Sequence, residues 1–241
     1  IGDPNFYNVP IDSLLSKDRI KVLQSSINFK KATTSSKVKP FSVTSESRDT
    51  THYSIIDSEG NAVSNTYTLG YSFGSGVTIP GTGILLNNQM NNFAYRYGDD
   101  SVEGRAASSG NKFAPGKRPM STMAPSMVFN SEGDLTLVTG SPGGSFIPAA
   151  ILRVISGVID FDLNVGEATM LSRIHKDWPY SGLDYETTLS SDIVKKLGTI
   201  GHKPEKQKTL GSTQSIHIIN GINYGYADLR RPGASVSTQS N

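Results

Sequence analysis

Cysteine is absent from all 241 residues, which excludes disulfides, thiolate catalysis, cysteine–zinc sites and iron–sulfur clusters together. That absence leaves the compartment open, because a chain without thiols is at home in reducing or oxidising surroundings. An excess of one charge sign is also missing. Lys+Arg 23 against Asp+Glu 21 leaves +2 with the basic residues scattered, so no electrostatic field points to nucleic acid. No apolar run approaches the roughly 20 residues of a membrane-spanning helix. No signal peptide opens the chain. Ile1-Gly2-Asp3-Pro4 reads like the middle of a protein, so the first residue is expected not to be the natural start. Histidine is scarce: His52, His175, His202 and His217 show no metal-ligand spacing, and each reads as structural.

What is present suits a turn-rich globular protein: 36% hydrophobic and 18% charged residues, with Gly 24 and Pro 12. The length allows one large domain or two small ones. Residues 28–49 are nearly devoid of apolar side chains after Lys30-Lys31, so they are expected to form an exposed, mobile tether. Before them, Ile11 to Ile27 carries a helical pattern at Leu14, Leu15, Ile20 and Leu23.

At Thr50 the periodicity becomes that of a strand. Thr51, Tyr53 and Ile55 alternate with His52, Ser54 and Ile56, and a turn at Ser58-Glu59-Gly60-Asn61 leads into a second strand, Ala62 to Leu69. Met127–Phe129 with Leu135–Thr139, and Ile216–Ile219 with Ile222–Tyr226, predict two more hairpins, the last turning through Asn220-Gly221 in type I′ geometry. Ile147, Ile151, Val154, Ile155 and Val158 share one face of a helix starting near Ser145, with Pro148 tolerated in its first turn. Val165–Ile174 and Leu189–Leu197 are predicted as further helices, and 94–116 as a long polar loop of the kind that is disordered or functional. Hairpins mixed with helices make a layered α+β architecture.

Two places could carry chemistry. Gly140-Ser141-Pro142-Gly143-Gly144-Ser145 lacks the lysine of a phosphate-binding loop and is no dinucleotide fingerprint. It reads either as a tight strand-to-helix turn or as a cradle in which the Gly143 and Gly144 N–H groups hold an anion or a developing oxyanion. The other is Asp49-Thr50-Thr51-His52, where a polar tether runs into a strand that starts with a hydroxyl residue. Cleavage before Thr50 would set a new α-amine, with a pKa near 8, beside that hydroxyl as its base.

Seven motifs in series then give a resemblance. Thr50-Thr51-His52-Tyr53-Ser54, Gly60-Asn61-Ala62-Val63-Ser64, Gly83-Ile84-Leu85-Leu86-Asn87-Asn88-Gln89-Met90 and Lys117-Arg118-Pro119-Met120-Ser121-Thr122-Met123 resemble the γ-glutamyltranspeptidase family. So do Thr139-Gly140-Ser141-Pro142-Gly143-Gly144, Gly211-Ser212-Thr213-Gln214-Ser215 and Asp228-Leu229-Arg230-Arg231-Pro232-Gly233. The resemblance runs through nearly the whole chain.

It implies an N-terminal-nucleophile hydrolase with a four-layer αββα sandwich, made as a proenzyme that cuts itself at Asp49–Thr50. Residues 1–49 would be the tail of a large subunit, mostly absent here, and 50–241 the small catalytic subunit. Thr50 would be the nucleophile, Thr68 the second threonine that assists it, and Gly143 and Gly144 the oxyanion hole. Ser121 and Thr122 would hold the substrate α-carboxylate, with Gln89 and Asn92 in the donor site. Water or an amino-acid or peptide amine would accept the γ-glutamyl group, no metal or organic cofactor would be needed, and the location would be periplasmic or extracellular.

The chain departs from the family pattern in two places. Asn92 stands where the family usually has an acid that pairs with the donor's α-ammonium, and Gly70 where it often has Asn or an acid. Residues 94–116 correspond to the family's lid, and Glu103, where many bacterial members carry an aromatic, could supply the missing charge. Two alternatives follow: an acylase of relaxed α-amino recognition, taking glutaryl-type amides or polymeric γ-glutamate, and an uncleaved proenzyme acting as a scaffold.

Overall fold

The structure is a computed structural model that describes residues 2–38, 49–93, 109–177 and 181–239. The expected helix over 11–27 is two: α1 (Ile11–Leu14) and α2 (Lys17–Ser25). The break falls at Ser16, whose side chain accepts a hydrogen bond from Arg19 N at 3.2 Å and so caps α2. Part of the expected tether is fixed rather than loose, because Ala32 N donates to Ile200 O at 2.7 Å and Ser35–Lys37 forms a 3-10 turn. The rest, 39–48, lies outside the described residues.

Strands β1 (Thr50–Ile56) and β2 (Ala62–Thr68) pair antiparallel in register, with Thr50 opposite Thr68. Asp57 sets their turn by accepting from Glu59 N and Asn61 N. β3 (Ser126–Phe129) and β4 (Leu135–Gly140) form the second expected hairpin. A 3-10 turn at Gly144–Phe146 leads into α3 (Ile147–Ile159), which buries Ile147, Ala150, Ile151, Val154 and Val158 along one stripe.

Next comes α4 (Val165–Met170), opened by an Asn164/Glu167 capping box. It is shorter than the helix predicted to Ile174. Leu171 leaves it with ψ 135, and β5 (Ile174–His175) follows, because Arg173 is drawn into a buried ion cluster. β6 (Gly182–Glu186), α5 (Ser191–Thr199) and β7 (Lys203–Gln207) complete a small three-stranded sheet, β5-β6-β7, that the pattern did not announce. α5 begins two residues later than predicted, where Ser190 caps it. β8 (Gln214–Ile219) and β9 (Ile222–Ala227) form the last hairpin, and Asn220 (φ 51) with Gly221 (φ 76) adopts the two positive φ angles of its type I′ turn.

The layers follow from what each face buries. The antiparallel sheet β3-β4-β8-β9 carries α3 and α4 on one side, with Leu137, Val138, Ile147, Val154 and Ala168 in the core. Gly157 lets the two helices close up, since a Cβ there would meet Ala168 Cβ at 2.8 Å. The β1–β2 hairpin packs on the other side, stitched by Ser54 Oγ to Gln214 O and Ser64 Oγ to Thr139 O, each 2.9 Å. Its outer face presents Tyr53, Ile55, Val63 and Tyr67, all exposed.

Candidate active site

The hairpin delivers Thr50 to the end of β4. Thr50 is buried. Two residues further on, the ring of His52 lies against the α-carbon of Gly140, where any Cβ would strike the imidazole. His52 is held by Thr66 Oγ1 at 2.7 Å and Ser54 Oγ at 3.1 Å, and burial pulls its pKa down to about 4. At neutral pH it is an uncharged residue packed against Gly140.

The bond between Asp49 and Thr50 is the focus of the local hydrogen bonding. Thr68 donates its hydroxyl to Asp49 O at 2.8 Å, while Gly70 N donates to Thr68 Oγ1 at 2.9 Å. The amide thus occupies an acceptor position of Thr68 and directs its proton toward the carbonyl. Ser72 Oγ donates to the Asp49 carboxylate at 2.7 Å, and Arg231 Nη1 donates to Thr50 O at 2.6 Å.

From Thr68 a chain of contacts runs round the other predicted residues. Gly70 has φ 94, and a Cβ on it would fall on Asn88 Oδ1. A side chain there would need the Asn88 amide to move and would sit at a positive φ that L-residues rarely adopt. Asn88 N donates to Leu69 O at 2.9 Å and Tyr71 N to Asn88 Oδ1 at 3.2 Å, which pins the 3-10 turn Gln89–Asn92 beside Thr68. Within that turn Asn92 is buried and donates Nδ2 to Gln89 Oε1 at 2.8 Å.

Asn111, only 1% exposed, bridges onward by donating to Asn92 O at 2.7 Å and accepting from Met120 N at 3.0 Å. Ser121 Oγ accepts from Met123 N at 3.1 Å, and Thr122 Oγ1 donates to Gly144 O at 2.9 Å. Gly143 (φ 136) precedes the 3-10 turn and Gly144 (φ 59) opens it, both buried at the N-terminal end of the α3 segment. Hydrogen bonds thus tie Thr68 to Asp49 and Gly70, Asn92 to Gln89 and Asn111, and Thr122 to Gly144. Glu103 lies outside the described residues.

The sequence reading missed Asn111, Arg231 and a buried ion network. In that network Arg173 contacts Asp228 at 2.7 Å, Asp228 contacts Arg230 at 3.2 Å, and Arg230 grips Glu186 through two bonds of 2.7 Å. Burial alone would raise the Asp228 pKa, but the Arg173 charge and donated N–H bonds bring it below the ordinary value. Asp228 lies inside one of the family-like motifs but Arg173 lies in none, and nothing in the spacing of residues 55 positions apart signals contact.

A hairpin starting with a buried threonine, laid across a sheet backed by helices, defines the α+β N-terminal-nucleophile hydrolase class of fold. Within that class the chain belongs to the gamma-glutamyltranspeptidase family, whose model matches residues 1–238. It is 42% identical over 232 residues to the glutathione hydrolase proenzyme of Escherichia coli (strain K12), covering 95% of this chain and 40% of the relative. To that of Bacillus subtilis (strain 168) it is 33% identical, over 98% of this chain and 41% of the relative. The chain therefore spans about two fifths of the length of these relatives.

Among solved structures, the gamma-glutamyltranspeptidase from Pseudomonas nitroreducens complexed with L-DON is similar at 37% identity and TM-score 0.70, over 78% of this chain and 100% of that one. The cephalosporin acylase from Bacillus halodurans is similar at 25% identity and TM-score 0.83, over 100% of this chain and 42% of that one. No helix among the described residues is long and apolar enough to cross a membrane.

Proposed function

We propose that this chain is part of a precursor that cuts itself between Asp49 and Thr50, after which Thr50 transfers γ-glutamyl groups from glutathione and related amides to water or an amine. The observation that carries the reading is the Thr68 hydroxyl on the Asp49 carbonyl, 2.8 Å away. In maturation Thr50 Oγ attacks that carbonyl carbon and gives up its proton. The oxygen gains negative charge under the Thr68 donor, the C–N bond breaks toward the Thr50 nitrogen, and water hydrolyses the resulting ester. The products are an Asp49 carboxylate and a Thr50 α-amine.

In turnover the same hydroxyl attacks the γ-amide carbonyl, with the new amine as base. The Gly143 and Gly144 N–H groups at the head of the α3 segment stabilise the oxyanion. Thr68, freed of the Asp49 carbonyl, hydrogen-bonds the nucleophile. Ser121 and Thr122 hold the donor's α-carboxylate, and Gln89 and Asn92 line the acyl site.

Residues 50–241 act as the small subunit, and 1–49 as the end of a large subunit whose remainder lies elsewhere in the precursor. Full coverage of the shorter Pseudomonas chain by 78% of this one supports that division. So does the exposed apolar face of the hairpin, which a large subunit would cover. A periplasmic or extracellular location belongs to the same reading and rests on the family.

Asn92 favours a second reading, an acylase of relaxed α-amino recognition, because a neutral amide offers a donor ammonium no ion pair. Two measurements decide between these readings. A gel showing two subunit bands, abolished by Thr50→Ala, supports self-cleavage, whereas one uncleaved band from the wild type would leave a scaffold. Hydrolysis of γ-glutamyl-anilide in preference to glutaryl-anilide supports the transpeptidase over the acylase.

A further inference from the structure

We propose that Arg231 tunes the base of this reaction: its guanidinium, seated on the carbonyl of Thr50, lowers the pKa of the α-amine that cleavage creates on the same residue. The inference rests on the reading of Thr50 as the nucleophile. An N-terminal amine ordinarily titrates at about 7.7–8.0, so at pH 7 only about a tenth of it is free base. A base stored nine-tenths as ammonium is a poor start for deprotonating a hydroxyl.

The geometry supplies the remedy. Arg231 Nη1 donates to Thr50 O at 2.6 Å. Covalent geometry keeps a residue's own nitrogen and carbonyl oxygen within about 3.6 Å of one another, which holds the cation within about 6 Å of the amine. Arg231 is exposed, so water screens the charge in part. At that range, with screening between that of bulk water and that of a protein surface, a unit charge lowers the amine pKa by about one unit.

The surrounding groups leave Arg231 unopposed among the described residues. On β1, His52 is neutral above about pH 4. β2 offers only Tyr67, an exposed residue on the outer face, and β4 holds no titratable side chain. β8 offers His217, whose pKa burial lowers, so it too is neutral. Asp49, bonded through its carboxylate to Ser72, is severed by the cleavage itself. Asp228 and Arg230 are locked with Arg173 and Glu186 into a network of two cations and two anions.

That network also explains why Arg231 stays in place. Arg230 N donates to Asp228 Oδ1 at 3.0 Å, Thr213 N donates to Asp228 Oδ2 at 2.9 Å, and Arg231 N closes a turn onto Asp228 O at 3.4 Å. The guanidinium therefore projects from a turn whose first residue, Asp228, is buried and held by several hydrogen bonds. Arg231 is a positioning residue in this scheme, acting on the base through the backbone of Thr50.

The test is the pH dependence of kcat/KM for γ-glutamyl-anilide in the full precursor, matured as wild type, Arg231→Gln and Arg231→Lys, with the new N-terminus read by mass spectrometry. The expected acidic limb lies near pH 7 in the wild type and about one unit higher in Arg231→Gln, a loss of about tenfold at pH 6 that vanishes by about pH 9. Arg231→Lys keeps the wild-type limb. A merely structural role would instead lower the rate equally at all pH values. An Arg231→Gln limb at the wild-type position overturns the inference, and so does a wild-type limb at pH 8 or above. If Arg231→Gln does not mature, the wild-type limb alone decides between these outcomes. A new N-terminus other than Thr50 would instead remove the reading on which the inference stands.

Discussion

Replacing Thr68 by valine removes one hydroxyl and leaves the shape of β2 almost unchanged. In the uncleaved chain that hydroxyl donates to Asp49 O at 2.8 Å and accepts from Gly70 N at 2.9 Å. The ground-state bond is neutral on both sides and contributes about 0.5–1.5 kcal/mol net. When Thr50 attacks, the same oxygen becomes an alkoxide, and loss of one oxyanion donor costs about 2.7–4 kcal/mol, or about 10²–10³ in rate. Only the difference between the two states slows the reaction, so maturation should slow by about 10²-fold.

The assay is a time course of purified precursor on a denaturing gel, following conversion of one band to two at constant pH. Thr68→Ser, which restores the donor, should recover to within about tenfold of the wild type. Maturation of Thr68→Val at the wild-type rate would refute the argument, because the bond would then be a static contact that follows no charge. A melting temperature unchanged within about 4 °C shows that a slow rate is not an unfolded variant.

Three further outcomes follow from the geometry. Gly144→Ala places a Cβ at φ 59, a conformation costing an L-residue about 1–2 kcal/mol, and disturbs the oxyanion amides, so turnover should fall on the order of 10²-fold in a single-turnover assay. Asn92→Asp should raise kcat/KM for γ-glutamyl- over glutaryl-anilide by about tenfold; an untouched preference, with Glu103→Gln abolishing it, would move the charge to the lid. His52 has its pKa held near 4 by burial, so the unfolded chain binds the extra proton between about pH 6.5 and 4. The stability held above pH 6.5 should fall through that window by about 2–3 kcal/mol in urea titrations, and His52→Gln should flatten the profile.

How much of this was legible depended on whether the signal was local. The three hairpins could be read because alternation and turn residues lie within a dozen positions, and Asn220-Gly221 demanded its turn type outright. The helix predicted through Ile174 failed because Leu171 and Arg173 fit a helical pattern as well as the extended one they adopt. What decided between them was Asp228, far along the chain. Thr50 and the paired glycines stood out by local chemistry as well as by motif, whereas Thr68 stood out by the family resemblance alone. Asn111 and Arg231 escaped notice because an asparagine and an arginine in polar segments look solvated until the partner across the fold is known. Gly70, read from sequence as a lost contact, also takes a positive φ of 94, which the sequence alone did not announce.

The stitching of the first hairpin has a consequence for timing. Ser54 reaches Gln214, 160 positions later, and Thr50 meets Arg231 across 181 positions. Thr50 leaves a ribosome long before either partner exists. Until β8 and the turn after β9 have been made, β1 lacks its bonds to Gln214 and Arg231, and the Thr50 carbonyl has no donor from them. On the proposed self-cleavage, the cut should wait for synthesis to pass residue 231, and its lag behind translation should report how quickly the most distant contacts of the fold are made. A nascent chain stalled before β8 should remain in one piece however long it is held. On that reading, self-cleavage would be a clock that starts only when the late strands arrive.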